Sequence, residues 1–374
     1  MAAMGTSRRV GWRVPQWPVA DQAAWARAQR PGDFLEEGGA AADWRPATLR
    51  AVVGGYGRWL AFLAQEGLHD PVVAPGAQIT PATVRRYVEV LRSQCASVTQ
   101  AGYVAWLCMM AQALAPGQDW RWLQAVQARL QRQAEPVRQK RARIVPAQEL
   151  LQLGFDVMAR AEASEAAQPD QPLPARDFRD GLMIALLATR PLRQRNFLGI
   201  EIGRHLQRLG AGFVLVFEGT ETKNHRPLEA SVPPQLVPAL ERYLALYRPR
   251  LLQSRGSRDP VQPVRPPGHH LWISQCGMPL SMGAQRKALT RHTTPRFGHL
   301  VNAHLFRDCV ATTVAHDDPE HVRSTAQLLG HDGFETTERY YIVAQAHQAQ
   351  RQHHDVVAAK RKALRRPVTG RGKS

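Results

Sequence analysis

The sequence has only four cysteines in 374 residues, and no two of them form a Cys-x-x-Cys pair. Cys95, Cys108, Cys276 and Cys309 are instead scattered along the chain. A disulfide-stapled secreted domain needs denser cysteines, and a structural zinc site needs closer spacing. The pattern therefore argues against both classes and predicts thiols that are buried as small apolar side chains.

The chain also lacks any apolar run long enough to cross a membrane, and the segment after Met1 lacks the hydrophobic stretch of a secretion signal. We therefore expect a cytoplasmic protein. A Gly-rich phosphate loop and the clustered carboxylates of a magnesium site are missing as well. Their absence argues against nucleotide hydrolysis and two-metal nuclease chemistry, so we expect no metal and no cofactor.

Acidic residues are scarce relative to basic ones. Lysine and arginine number 49 against 31 aspartates and glutamates, which gives a net charge of +18. Such an excess attracts polyanions and speeds their association. A hydrophobic content of 44% predicts a folded chain rather than a disordered one. A nucleic acid is thus favoured over an anionic membrane as the partner, and a merely cationic surface is the alternative.

The pattern of residues 1–131 predicts an arm followed by a helical bundle. Residues 1–43 mix Trp, Pro, Gly and Ala without sustained periodicity, which predicts an arm of low order with one short helix. Residues 44–131 show helical spacing in four segments, and Thr80 with Pro81 predicts the start of the second. The positions expected to be exposed on this bundle include Arg50, Arg58, Arg85, Arg86 and Arg92.

Residues 132–146 predict an extended linker, because they hold five basic residues, one acidic residue and two prolines. A solvated charge run is one interpretation. A clamp that follows a phosphate backbone is equally supported. The residues predicted to bind DNA in the bundle and linker are Arg85, Arg86, Arg138, Lys140, Arg141 and Arg143.

Residues 147–350 predict a second, mainly helical domain, which a basic tail at 351–374 follows. Helices are expected near 147–163 and 176–190, and the second must stop at Pro191. Two alternating segments between residues 212 and 233 then predict a small β-hairpin.

Several short motifs of this domain carry side chains suited to phosphate chemistry. Each is weak alone, since an arginine after a helix or a His-x-x-Arg sequence is common. Their order and spacing are more specific, and on a helix His-x-x-Arg places both side chains on one face. The positions are Arg193, Lys223, His304, Arg307, His331 and the pair Tyr340 and Tyr341.

Taken together, these motifs resemble the tyrosine recombinase, or lambda-type phage integrase, family. The family's motifs read here as Leu192-Arg193, Lys223, His304-Leu-Phe-Arg307 with Ala311-Thr312, Leu329-Gly330-His331, and Tyr340 or Tyr341. The resemblance implies a mainly α fold. An N-terminal helical bundle, similar to a SAM-like core-binding domain, would precede a mixed α+β catalytic domain with a small β-hairpin sheet.

The resemblance also implies an activity: site-specific cutting and rejoining of double-stranded DNA through a 3′-phosphotyrosyl intermediate. It suggests an integrase of a phage or other mobile element that works as a tetramer on paired sites, with possible DNA-bending accessory proteins. Two guanidiniums can hold the negative oxygens of a phosphodiester without a metal. Arg193 and Arg307 fit that role, while His304 fits a general base, His331 a donor to the phosphate and Lys223 a general acid.

The sequence leaves the choice of nucleophile and two rival functions open. The family most often places its tyrosine at the position of Tyr340, but relatives with the form Thr-Thr-Glu-basic-x-Tyr-Ile-x-Ala favour Tyr341, as does this sequence. The sequence departs from the family's motif at two positions: Pro191 stands where the family usually has a glycine, and Asn196 stands where it usually has a glutamate. A catalytically inactive DNA-binding regulator and a type IB-like topoisomerase are the rival functions.

Overall fold

The structure is a computed structural model that describes residues 11–135, 141–167, 172–253 and 268–317. The chain divides into two compact units, Met1–Gln139 and Lys140–Ser374, within the segment predicted as a linker. The predicted positions that lie outside the described residues are Arg138, Lys140, His331, Tyr340, Tyr341 and the tail 351–374.

The described residues of the first unit form five α-helices. Thr80 caps the third helix as predicted, since its hydroxyl accepts a hydrogen bond from the Thr83 N–H at 3.2 Å and Pro81 begins the helix. The helices are α1 Val19–Ala28, α2 Pro46–Gln65, α3 Pro81–Arg92, α4 Ser97–Leu114 and α5 Arg121–Arg132.

Part of the stretch predicted as a low-order arm packs into the core of this unit. Trp17 and Trp25 are 3% and 4% exposed, and the Tyr56 hydroxyl donates to Asp21 in α1 at 2.7 Å. Tryptophans at irregular intervals give no periodic signal, yet each buries a large apolar area. This is why the sequence pattern underestimates the order of this stretch.

The second unit surrounds the apolar helix α7, which ends at Thr189, before Pro191 as predicted. Gly154 on α6 and Gly181 on α7 let these two helices pack closely. A Cβ on Gly154 would lie 2.7 Å from the backbone nitrogen of Ala185. A π-helical turn, Tyr243–Tyr247, joins α9 to α10. The α-helices among the described residues of this unit are α6 Ala147–Ala167, α7 Pro172–Thr189, α8 Gln194–Leu198, α9 Val237–Arg242, α10 Arg248–Gln253, α11 Met282–Phe297 and α12 Ala303–Asp317.

An antiparallel sheet of three strands lies between α8 and α9 in the sequence: β1 Leu206–Leu209, β2 Gly212–Phe217 and β3 Leu228–Ser231, in that order. The predicted hairpin corresponds to β2 and β3. Strand β1 was missed because only its first residue is buried, so its sequence shows no alternation. The mainly α fold with a small sheet is thus confirmed. None of the helices in the described part of the chain has the length and apolar character that a membrane crossing requires.

Candidate active site

The turn between α7 and α8 carries Arg193. This half-buried residue takes the N-cap position of α8, and its carbonyl accepts the Phe197 N–H at 2.9 Å. On the other side of the turn, Arg190 donates from Nε to the Ser231 carbonyl of β3 at 2.8 Å. The backbone that presents Arg193 is therefore tied to the sheet.

Arg307 reaches the same turn from α12. Its side chain is buried, with the residue 7% exposed, and Nη1 donates to the Pro191 carbonyl at 2.5 Å. A guanidinium is planar, so one fixed N–H sets the direction of the whole fork. The structure thus brings together the segments that carry Arg193 and Arg307. Proline at position 191, where the family usually has glycine, retains the carbonyl that this contact uses.

His304 lies in the first turn of the same helix and is exposed. The Asn302 side chain caps α12, because its Oδ1 accepts the N–H groups of His304 at 3.0 Å and Leu305 at 2.9 Å. The cap fixes where the helix begins. One helix end therefore presents an exposed imidazole one turn before a buried, oriented guanidinium.

Lys223 is exposed on the connection between β2 and β3. This connection is held by internal hydrogen bonds, since the Thr222 hydroxyl donates to the carbonyls of Gly219 at 3.0 Å and Arg226 at 2.8 Å. His225 takes the left-handed conformation, with φ of 54°, that the turn requires. Lys223 therefore lies on an organised turn.

Asn196 links this turn to α8. Its Nδ2 donates to the Glu221 carbonyl at 3.1 Å. Asparagine stands where the family usually has glutamate, and its donor group gives the substitution a structural role. Contacts therefore run from Arg307 to the Arg193 turn, along α8, and on to the loop that carries Lys223.

The end of the predicted basic linker packs on the second unit. Arg143 donates from Nη2 to the Leu300 carbonyl at 2.7 Å, and His299 donates from Nε2 to the Arg143 carbonyl at 3.1 Å. The Val145 N–H contacts the Cys309 sulfur at 3.3 Å, and burial raises the pKa of that thiol to about 11. Arg143 thus has an intramolecular partner beside the start of α12, and its contact with DNA stays a prediction. Arg141 begins the 3-10 turn Arg141–Arg143.

The predicted DNA contacts on α3 have different surroundings. Arg85 is exposed. Arg86 pairs with Glu66 at 2.8 Å and lies 3.7 Å from Glu89, so acidic neighbours offset its charge. Arg85 is therefore the better placed of the two to meet a phosphate.

A groove between α2 and α4 adds residues that the sequence reasoning did not assign to DNA. The Arg58 guanidinium lies 4.6 Å from the centre of the Tyr103 ring, and it donates to Gln94 at 2.8 Å. Arg50 and Trp106 line the same groove. Arginine, glycine and arginine at successive turns of α2, facing two aromatics one turn apart on α4, form a signal that could have been recognised.

One cluster of the described residues has the spacing of a cation site: ligand atoms of Asp177, Asp180 and His292 lie within 4.8 Å of one another. Asp180 already accepts hydrogen bonds from Arg179 at 2.5 Å and Arg291 at 2.8 Å. Two guanidiniums beside the carboxylate oppose the approach of a divalent cation. We therefore interpret the cluster as an ion-pair network around the buried Asp180.

No protein-family model matches the sequence, and neither does any curated protein. Among solved structures, the chain is similar to the XerH site-specific recombinase bound to its difH substrate before cleavage. The identity is 13% and the TM-score 0.52, with 79% of this chain and 76% of that chain covered. A post-cleavage complex of XerH with palindromic difH gives 12% identity and a TM-score of 0.51, covering 82% and 78%. The chain therefore has the fold of the tyrosine site-specific recombinases.

Proposed function

We propose that this protein is a site-specific DNA recombinase that cuts and rejoins duplex DNA through a 3′-phosphotyrosyl intermediate. The observation that carries this proposal is the hydrogen bond from Arg307 to the Pro191 carbonyl, within a recombinase fold. It joins the two arginine segments whose side chains the chemistry requires together. Without a metal, the pentacoordinate transition state at phosphorus must be stabilised by cationic donors in fixed positions. The hydrogen bond to Pro191 fixes one such donor, Arg307.

In the proposed reaction a tyrosine oxygen attacks the phosphorus, and the bond from phosphorus to the 5′ oxygen breaks. Arg193 and Arg307 hold the non-bridging oxygens, with His331 as a further donor. The exposed imidazole of His304 takes the phenol proton, and Lys223 gives a proton to the departing 5′ oxygen. The phosphotyrosyl bond keeps the phosphodiester energy, so a 5′ hydroxyl can reseal the strand without ATP.

Duplex DNA is the proposed partner. The net charge of +18 supports it, as do Arg50 and Arg58 in the α2–α4 groove. The solved relatives are described as recombinases bound to their DNA substrates. We extend the proposal to a phage or mobile-element integrase that acts in the cytoplasm as a tetramer on paired sites, assisted by DNA-bending proteins.

The first test traps the covalent adduct. Full-length protein is mixed, in EDTA, with supercoiled plasmid that carries the DNA flanking the gene, and stopped with detergent. Wild-type protein should form an adduct whose position maps the cleavage site. Phenylalanine keeps the ring and removes only the hydroxyl, so Tyr341→Phe should abolish the adduct while Tyr340→Phe only reduces it.

Each other outcome identifies a rival. Adducts with Tyr341→Phe but not with Tyr340→Phe would reverse the assignment of the nucleophile. If the protein relaxes any supercoiled plasmid and no preferred cleavage site can be mapped, it is a topoisomerase. Specific DNA binding with no adduct in any buffer would indicate a regulator, and cleavage that requires a divalent metal would refute the mechanism.

A further inference from the structure

We propose that Glu221 is a positioning residue that sets the place of Lys223 at the scissile phosphate. The inference rests on the proposed function above, in which Lys223 is the general acid. Glu221 ends the 3-10 turn Gly219–Glu221, two positions before the lysine. Lysine is long and flexible, so the position of its backbone decides which atoms its ammonium group reaches.

Four hydrogen bonds converge on Glu221. Its Oε1 accepts from His205 Nε2 at 3.0 Å and from Arg204 Nη2 at 2.7 Å. Its Oε2 accepts the Glu218 N–H at 3.1 Å, and its carbonyl accepts from Asn196 at 3.1 Å. The residue is thereby joined to α8 and to the segment that leads into β1, as well as to its own turn.

His205 is the firmest of these partners. The Glu201 N–H donates to its Nδ1 at 3.0 Å, so that nitrogen carries a lone pair and the proton resides on Nε2. The neutral ring therefore donates to Glu221 in a fixed tautomer. The ring is also stacked on Phe217 at 4.9 Å between centroids, and the residue is 5% exposed.

The other carboxylate partner contributes less to the position of the loop. The Arg204 side chain is 60% exposed, and an exposed ion pair stabilises a structure little. The hydrogen bond from His205 is the main cause that lowers the pKa of Glu221, so the carboxylate is ionised at neutral pH and accepts all three bonds. The buried imidazole, rather than the surface arginine, fixes the carboxylate.

The hydrogen bond from Asn196 connects Glu221, and the loop that carries Lys223, to α8. Asn196 lies on α8, whose N-cap is Arg193. The Glu221 carbonyl is therefore bound to the helix that begins next to the proposed phosphate-binding arginine. The loop is therefore attached to α8 at Glu221. Loss of either the carboxylate or the asparagine donor should leave the arginines in place and displace the lysine.

The experiment uses full-length protein and two synthetic duplexes that carry the mapped cleavage site. One has the natural 5′ oxygen at the scissile bond, and the other has sulfur there. A thiol has a pKa of about 8.5, so the sulfur leaves as a thiolate without a proton donor. On the oxygen duplex we expect Glu221→Ala and Asn196→Asp to slow cleavage about 10- to 100-fold, part of what a general acid supplies.

On the sulfur duplex the same two variants and Lys223→Ala should cleave at close to the wild-type rate, whereas Arg193→Ala should stay inactive. In a Lys223→Ala background, Glu221→Ala should cause no further loss, because both act on one step. Glu229→Ala is the matched control: it removes an exposed glutamate from β3 and should cleave both duplexes normally. Asn196→Asp is nearly isosteric, which keeps the test valid if Glu221→Ala folds poorly.

Equal losses on both duplexes for Glu221→Ala and Asn196→Asp, with Lys223→Ala still rescued by sulfur, would overturn the positioning role alone. Wild-type rates for both variants on the oxygen duplex would do the same. If sulfur fails to rescue Lys223→Ala, the general-acid assignment in the proposed function is wrong, and the inference fails with it.

Discussion

The two units of this protein bury different kinds of side chain. In the described part of the first unit, the buried polar side chains are Asp21 and Gln100, and every arginine is half-buried or exposed. The described part of the second unit buries Arg179 and Arg307 together with a larger set of polar groups. An apolar interior leaves arginines at the surface, where they attract a polyanion from any direction. Buried polar groups within an apolar core can instead fix the direction of an arginine before a ligand arrives.

Two buried aspartates show what this difference means for charge. Burial raises the pKa of Asp21, and the hydrogen bond from the neutral Tyr56 does not offset it. Burial also opposes the ionisation of Asp180, but the charge of Arg179 and the hydrogen bonds from His292 and Arg179 outweigh it, so the pKa of that carboxyl is lowered. The charge of the partner, rather than the depth of burial, decides whether a buried carboxylate stays ionised.

The largest effect should come from Asp180→Asn, which leaves the 3%-exposed Arg179 without its counter-charge. Removing one partner of a buried pair costs about 3–5 kcal/mol. We expect the second unit to lose that much free energy of unfolding, measured by hydrogen exchange of its peptides in the full-length protein. The first unit should keep its protection.

Asp177→Asn provides the control for that change. Asp177 is on the same helix, its side chain is 30% exposed, and it lies 3.6 Å from Arg291. Asp177 also pairs with Arg176 at 2.9 Å, and both side chains are in contact with solvent. Because solvent screens such pairs, the change should cost about 1 kcal/mol, well below the cost at Asp180. Equal losses for the two variants would show that the second unit does not depend on its buried pair, and the contrast between the units would fail.

The next effect concerns activity. Arg307→Ala should lower the rate of covalent adduct formation about 10²- to 10³-fold, because one preorganised donor to the transition state is lost. Arg307→Lys should fail similarly, since an ammonium lacks the planar fork. Arg195→Ala, an exposed neighbour of Arg193 on α8, should change the rate only slightly. DNA binding, measured by filter retention, should persist in all three.

Adduct formation by Arg307→Lys at the wild-type rate would contradict this prediction. It would mean that position 307 supplies only positive charge, and that the bond to the Pro191 carbonyl is a structural staple. The buried polar groups of the second unit would then serve stability rather than catalysis.

The sequence predicted those parts of the fold that depend on local pattern. The spacing along α2, the cap at Thr80 and the stop before Pro191 are each set by residues close in the chain, and each is found. Strand β1 pairs with the adjacent strand β2, but only its first residue is buried, so it shows no alternation. Trp17 packs on Tyr56, which lies in a different helical segment, so no local pattern predicts its burial.

The candidate site divides in the same way. The motif order indicated Arg193, Lys223, His304 and Arg307, but not how they are held. The bond from Arg307 to Pro191 spans 116 positions, and that from Asn196 to Glu221 spans 25. Contacts of that range arise from tertiary packing, so a single sequence does not reveal them.

The smallest expected effect is a pH dependence of stability, and its sign differs between Asp21 and Asp180. A carboxyl with a raised folded-state pKa binds its proton more tightly in the folded state than in the unfolded one. Asp21 therefore adds stability to the first unit as the pH falls toward the unfolded value of about 3.9, and loses it as the pH rises through the folded pKa. Asp180 behaves oppositely, since its contribution is complete above about 3.9 and is lost as the pH falls through its lowered folded pKa.

Hydrogen exchange of the full-length protein, corrected for intrinsic rates across mildly acidic pH, measures both slopes. Asp21→Asn should flatten the slope of the first unit while changing its stability at neutral pH by less than about 1.5 kcal/mol, because the amide still pairs with the Tyr56 hydroxyl. The second unit should keep its own slope in that variant. If both units of the wild-type protein lose protection together on acidification, Asp21 is ionised in the fold, and the neutral tyrosine alone is enough to keep a buried carboxylate charged.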